Sequence, residues 1–168
     1  MLTTSRIARK FMAHYIDAAA PEDGDVLFEL LGEGLEEFSP EMSAQVDKKR
    51  NILGETDIII SSYEKTAEVA TYYANPNTEL QSRLQNIIDE GKVMDSLGTR
   101  VVDVYLWQKP SDKGYPAVLE YAYIEIKSYG GDASGLQIPF TIHYTGKREK
   151  GHFDPKTRSF YPAPEEEE

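Results

Sequence analysis

LQIPFTIHYTGKREKGHFD, Leu136 to Asp154, decides how this chain folds. In its first half, Ile138, Phe140, Ile142 and Tyr144 fall on one side of an extended backbone, while Thr141, His143 and Thr145 fall on the other. That period of two is a strand with one covered face. Gly146 to Gly151, GKREKG, reads as a basic turn, and GHFD as the entry to a closing hairpin with Phe153 packed inward. Two of the chain's three histidines flank the knot of Lys147, Arg148 and Lys150, which raises a choice between a chemical or phosphate-gripping site and a solvated turn.

Working outward, the same alternation recurs. In Val101–Trp107 it sets Val102, Val104 and Leu106 against Asp103, Tyr105 and Trp107, and it returns in Val118–Lys127. Ile58–Tyr73 is rich in Ile, Val, Thr and Tyr, although Glu64, Lys65, Ala67 and Glu68 also suit a helix. KPSDKGYP (109–116), GGDASG (130–135) and DPKT (154–157) carry turn chemistry. One helix is signalled in NPNTELQSRLQNIIDEGK, with Asn75 or Asn77 as N-cap, Pro76 in the first turn and Gly91 as the left-handed stop. Leu80, Leu84, Ile87 and Ile88 form its apolar stripe, the face that must be covered. Strands, short turns and a single helix predict a mainly β fold of two packed antiparallel sheets, a sandwich or barrel, with one α-helix.

The chain has 168 residues, enough for one domain with a core, expected over 25–162. Residues 1–24 read as an N-terminal arm, in which Ile7, Phe11 and Tyr15 at helical spacing suggest a short amphipathic helix, and 163–168 as an acidic tail. There is no cysteine, so disulfides, thiolate nucleophiles and cysteine-based zinc sites are excluded. No apolar run approaches the ~20 residues of a membrane helix. Arg9, Lys10 and His14 stand where a signal peptide would be apolar, so no membrane association is expected. Between Phe38 and Thr56 lies a polar segment far longer than the ~2–5 residues of ordinary hairpin loops.

The net charge of -11 is unevenly placed: nine acids and no base lie between Asp17 and Glu41, and the terminal EEEE adds four acids. The rest is nearly neutral. Val26, Leu27, Phe28, Leu30, Leu31 and Leu35 interleave the first run, which makes it folded structure with an acidic surface. No nucleotide-binding, metalloprotease, nucleophile-elbow or calcium-loop motif occurs. His14, His143 and His152 are dispersed and read as exposed or incidental, so neither catalysis nor a cofactor or metal is expected. The acidic balance opposes phosphate attraction, which leaves the basic knot better read as a surface for another copy.

Taken in order, three pieces resemble the major tail protein, the tail tube subunit, of long-tailed bacteriophages. They are FELLGEGLEEFSPEMSAQVDKKRNILGETD, then SSYEKTAEVATYYANPNTELQSRLQNIIDEG with VVDVYLW, and finally LQIPFTIHYTGKREKGHFDPKTRSFYPA. The resemblance spans roughly residues 25 to 162. It implies the tail tube fold and a homohexameric ring whose inner sheets join into a continuous barrel. Rings would stack into a tube in the virion tail, after assembly in the host cytoplasm. The implied partners are further copies, the tape measure protein, the tail tip and the tail terminator, with DNA passing through the lumen without specific binding.

The same resemblance implies roles for particular residues. The long hairpin would stack rings through Phe38, Met42, Val46, Lys48, Lys49, Arg50 and Ile52, while Lys147, Arg148 and Lys150 are candidates for contacts between subunits. Carboxylates facing a DNA conduit would keep phosphates from sticking, and Glu29, Glu33, Glu36 and Glu37 are the candidates. A tube protein of a contractile tail or injection device shares the architecture and is the nearest alternative. A stand-alone β-sandwich binding module is the alternative from another class.

Overall fold

In a computed structural model that describes residues 6–21 and 24–164, Phe140–Asp154 forms a single strand of 15 residues. It is the tenth of the eleven strands among the described residues. The others are β1 Met12–Asp17, β2 Phe28–Leu31, β3 Ala44–Arg50, β4 Thr56–Tyr63, β5 Thr66–Val69, β6 Gly98–Tyr105, β7 Tyr115–Ile126, β8 Gly130–Asp132, β9 Gly135–Gln137 and β11 Ser159–Pro162. Helix α1, Glu79–Glu90, lies between β5 and β6. Seven strands make one antiparallel sheet in the order β11-β10-β7-β6-β1-β2, and β5 flanks the first part of β10. The pairs β3-β4 and β8-β9 form separate ribbons. The chain is thus mainly β, with curled antiparallel sheets and one helix.

The strand β10 overturns the turn expected at GKREKG. Its pairing with β7 runs from Phe140↔Ile126 through Tyr144↔Ala122, then resumes at Arg148↔Glu120 and continues to Phe153↔Tyr115. A bulge between Tyr144 and Arg148 absorbs the extra residues without reversing the chain. Gly146 supplies the positive φ of 85° that the bulge needs. Glycines flanking charged residues have the composition of a turn, but here the first glycine serves a bulge and the strand continues beyond it. The hairpin expected after it forms as β10-β11, with Phe153 fully buried.

The proposed N-terminal arm is also corrected. Met12–Asp17 is an interior strand, paired with β6 on one side and β2 on the other, and Ile16 is fully buried. The helical spacing of Ile7, Phe11 and Tyr15 yields only a 3-10 turn at Arg9–Phe11, because the backbone of the next residues is taken up by two neighbouring strands. Residues 1–5 of that arm, and the glutamates of the acidic tail, lie outside the described residues.

Apolar side chains cover both faces of the main sheet. Ile16, Val101, Ile124, Phe140 and Ile142 pack with Leu80 and Leu84 of α1 on one face; Tyr15, Val102, Val104, Leu119 and Phe153 form a second cluster. Leu80, Leu84 and Ile87 are buried and Ile88 partly so, which places the helix stripe as its spacing requires. Thr78, rather than Asn75 or Asn77, is the N-cap, its hydroxyl accepting from the Gln81 N–H. Asn75 instead closes a local turn onto the Asn77 N–H. Gly91 ends the helix at φ 60°, as expected.

Candidate functional site

The ribbon β3-β4 stands out from the rest of the molecule: every residue of both strands is exposed. Its root is fixed by the backbone bonds Glu41–Thr66 and Glu64 N–H to the Ser43 carbonyl at 3.0 Å. The tip is fixed by Asn51, whose side-chain oxygen accepts from the N–H groups of Leu53 and Glu55 and whose amide donates to the Glu55 carboxylate at 2.8 Å. Gly54, at φ 83°, lets the chain reverse there. The rigid tip presents Ile52 and Leu53, 102% and 78% exposed, to solvent. Along the shaft, Val46, Ile58, Ile59 and Ile60 are also exposed, so apolar side chains project from both faces of the ribbon. A lone two-stranded ribbon is marginal in water, and this one carries its apolar groups where only another surface can cover them.

Of the residues expected in this hairpin, Met42, Val46, Lys48, Lys49, Arg50 and Ile52 are exposed on the ribbon or at its root. Phe38 is not. It is buried in the core against His14, ring centroids 4.7 Å apart, because β3 begins only at Ala44 and the chain crosses the body first.

The acidic candidates separate. Glu29 lies on β2, but its carboxylate accepts from the backbone N–H groups of Glu79 and Leu80 at 2.7 and 3.2 Å. It therefore satisfies orphan donors at the positive end of α1. Glu33, Glu36 and Glu37 are exposed in the loop after β2, and the hollows beside Glu33 and Glu36 share Leu30, Leu31 and Leu35. Glu33 lines a hollow of about 390 Å³ with Leu30, Leu35, Tyr73 and Pro76. Glu36 borders a second beside Arg9 and Phe38, and Glu37 a third with Glu41 and Glu68.

The basic knot divides as well. Arg148 reaches inward, its Nε 3.2 Å from the Glu120 carboxylate, and Lys147 lies over the Tyr121 ring at 4.7 Å, while Lys150 is exposed. Glu120 belongs to a buried ionic stripe that sequence reasoning missed. Lys65 Nζ sits 3.1 Å from Glu120 and 4.0 Å from Asp103, and His14 Nδ1 is 2.6 Å from Asp103. Asp103 and Glu120 each stand in an alternating strand, where a charge signals the wet face; here both faces are covered. Burial, followed by the charges of Asp103 and Glu120, drives the Tyr144 hydroxyl far above the ordinary tyrosine range.

His14 is thus buried at 4% exposure rather than exposed. Its Nε2 lies 2.8 Å from the Arg9 guanidinium, which can only donate, so Nε2 is the acceptor and Nδ1–H donates to Asp103. Both ring nitrogens are thus held by hydrogen bonds within the chain. His143 is exposed and bonds Glu125 at 2.7 Å; that bond, then Lys127, lowers the Glu125 pKa. No group of three or more His, Cys, Asp or Glu among the described residues is placed to hold a metal.

No protein-family model matches the chain, and no curated protein does.

Proposed function

We propose that this chain is a self-assembling structural protein whose copies form rings that stack into a tube, as the tail tube subunits of long-tailed bacteriophages do. The observation that carries this reading is the β3-β4 ribbon. A folded body has extended a pinned arm with Ile52, Leu53 and Ile58–Ile60 all in solvent, and another copy is the economical surface to cover them. The free edges of the main sheet support ring closure. Among the described residues β2 pairs only with β1 and β11 only with β10, so strand-to-strand joining between copies would satisfy these edges, whereas the outer edge of β5 is partly taken by the Glu41–Thr66 bridge. Glu36 and Glu37, exposed and in no ion pair among the described residues, remain candidates for a lumen that passes DNA without holding it.

Removing residues 44–63 and joining the root across the cut tests the reading. The shortened chain is expected to keep a cooperative unfolding transition and to stay monomeric at concentrations where the full chain gives rings or tubes by negative-stain microscopy. Tubes formed by the shortened chain would end the assignment of the ribbon. A full chain that sediments as a monomer at every concentration favours the binding module instead.

A further inference from the structure

We infer that His14 and Arg9 form a pH-operated latch, in which protonation of the His14 ring expels the Arg9 guanidinium and frees residues 6–11 from a body that stays folded. The latch requires a neutral imidazole. His14 Nε2 accepts from Arg9 at 2.8 Å, while Nδ1–H donates to Asp103 at 2.6 Å. A protonated imidazole donates at both nitrogens and accepts at neither. It would set an N–H and a second positive charge against the guanidinium, so proton uptake at His14 and the Arg9 contact exclude one another. Asp103, on the other side of the ring, is a partner in either state. Histidine is the side chain that ordinarily changes charge between about pH 5 and 8.

Arg9 is the side that moves. Residues 6–11 are all exposed, and the hydrogen bonds among the described residues that tie them to the body are the Leu106 N–H to the Phe11 carbonyl and those of Arg9. The guanidinium donates to the Met12 carbonyl at 2.8 Å and to the Phe38 carbonyl at 2.9 Å as well as to His14. One side chain therefore joins the segment before β1 to the loop that leads towards β3. His14 cannot yield instead, because β1 is paired on both sides and the ring lies edge-on to Phe38. The charged groups around the ring come from several elements. Arg9 and Lys10 lie in the 3-10 turn and Asp103 on β6, while Lys65, between β4 and β5, stands 4.0 Å from Asp103. Glu36 borders the hollow of about 500 Å³ that Arg9, Lys10 and His14 also line. Behind Lys65 come Glu120 and Arg148, and burial raises the Tyr105 and Tyr144 hydroxyls, so both stay neutral. Lys10 and Glu36 offset each other at the rim. In the rest, three cations (Arg9, Lys65, Arg148) stand against two anions (Asp103, Glu120), and protonation of His14 enlarges an excess that is already positive.

The chain has no cysteine, so a fluorophore on Ile7→Cys, at a position 59% exposed, marks a single site. In dilute full-length chain the time-resolved anisotropy of that label is expected to show restraint at about pH 8 and to lose it towards about pH 5, while the near-ultraviolet circular dichroism of the body keeps its folded signal. His14→Gln offers one acceptor and one donor with no charge to gain, and its label is expected to stay restrained across the range. Arg9→Ala removes the surface half of the latch, and its label is expected to be free at both ends of the range. Because Arg9 is exposed, this variant keeps the test decisive if His14→Gln does not fold. His143 and His152 are retained in both variants, so a pH response that survives in either belongs to another group and overturns the latch. A parent chain whose label moves alike at about pH 8 and about pH 5 also overturns it, as does a label freed only when the body unfolds.

Discussion

Glu120 is 3% exposed in the middle of the sheet, and three groups converge on it: Lys65, Arg148 and the Gly146 N–H at 3.2 Å. Removing one member of a buried pair leaves the other charge without compensation, which costs about 3–5 kcal/mol. Glu120→Ala is therefore expected to lower the unfolding free energy by about 3 kcal/mol in urea titration, and Glu120→Gln by less, because an amide oxygen still accepts. A loss within experimental error would show that Lys65 and Arg148 find water instead. Asp17 gives a prediction with the opposite logic. Its carboxylate accepts from the Ala19 and Leu27 N–H groups, but burial outweighs those bonds and raises its pKa above the usual 3.8. The folded state then holds the proton more tightly than the unfolded one, so ionisation of Asp17 weakens the fold as pH climbs from about 3.8 through the raised value. Asp17→Asn keeps an acceptor oxygen and removes that ionisation. Its stability relative to the parent chain is expected to improve between about pH 3 and pH 7, and a constant difference across that range would refute the account.

Helix α1 shows what sequence could and could not convey about an element. Its stripe of Leu80, Leu84 and Ile87 and its stop at Gly91 are local patterns, and the structure repeats them. Its start is set partly from afar, since Glu29 reaches the first N–H groups from 50 residues upstream, and no local pattern announces that. For the same reason Glu29 read as one acid in a run of acids. The helix terminus makes it measurable: Thr78→Ala is expected to cost about 1 kcal/mol, and Glu29→Gln about 0.5 kcal/mol as the carboxylate loses its charge at the positive helix end. If denaturation of both variants matches the parent chain, water caps this helix. In β10 the error ran the other way. A period-two pattern continues from Arg148 to Phe153 once the bulge is allowed for, but an insertion resets the eye to a turn. The interior strand β1 carries no alternation to announce it, since His14, Tyr15, Ile16 and Asp17 are all buried between strands that lie further along the chain. Exposure of the β3-β4 ribbon, by contrast, was half legible: the segment is too long for a loop, while only the fold reveals that none of it turns inward.

At the scale of the whole molecule the decisive quantity is the distribution of a net charge of -11. Most lysines and arginines are exposed, but they are mixed with acids: Lys48, Lys49 and Arg50 sit on a ribbon that also carries Asp47, Glu55 and Asp57, and Arg148 is tied to Glu120. A protein that binds duplex DNA neutralises several phosphates together, and each released counterion steepens the salt dependence. Lys147 shares the Tyr121 side chain with Glu149, and the field of the whole chain repels the duplex before contact. The chain is therefore expected not to retard duplex DNA in a gel at about 50 mM salt, where weak electrostatic binding is strongest. Retardation that weakens steeply as salt is raised to about 200 mM would mean that a basic face dominates, and a conduit that releases its DNA could not then be built from this surface. The test is most informative on assembled material. Docking the ribbon into a neighbour would consume Lys48, Lys49 and Arg50 in contacts between copies and leave the acidic loop after β2 as the charge that DNA meets. Assembly should therefore weaken any residual DNA binding, and a tube that binds more tightly than its subunits would place those cations on the lumen instead.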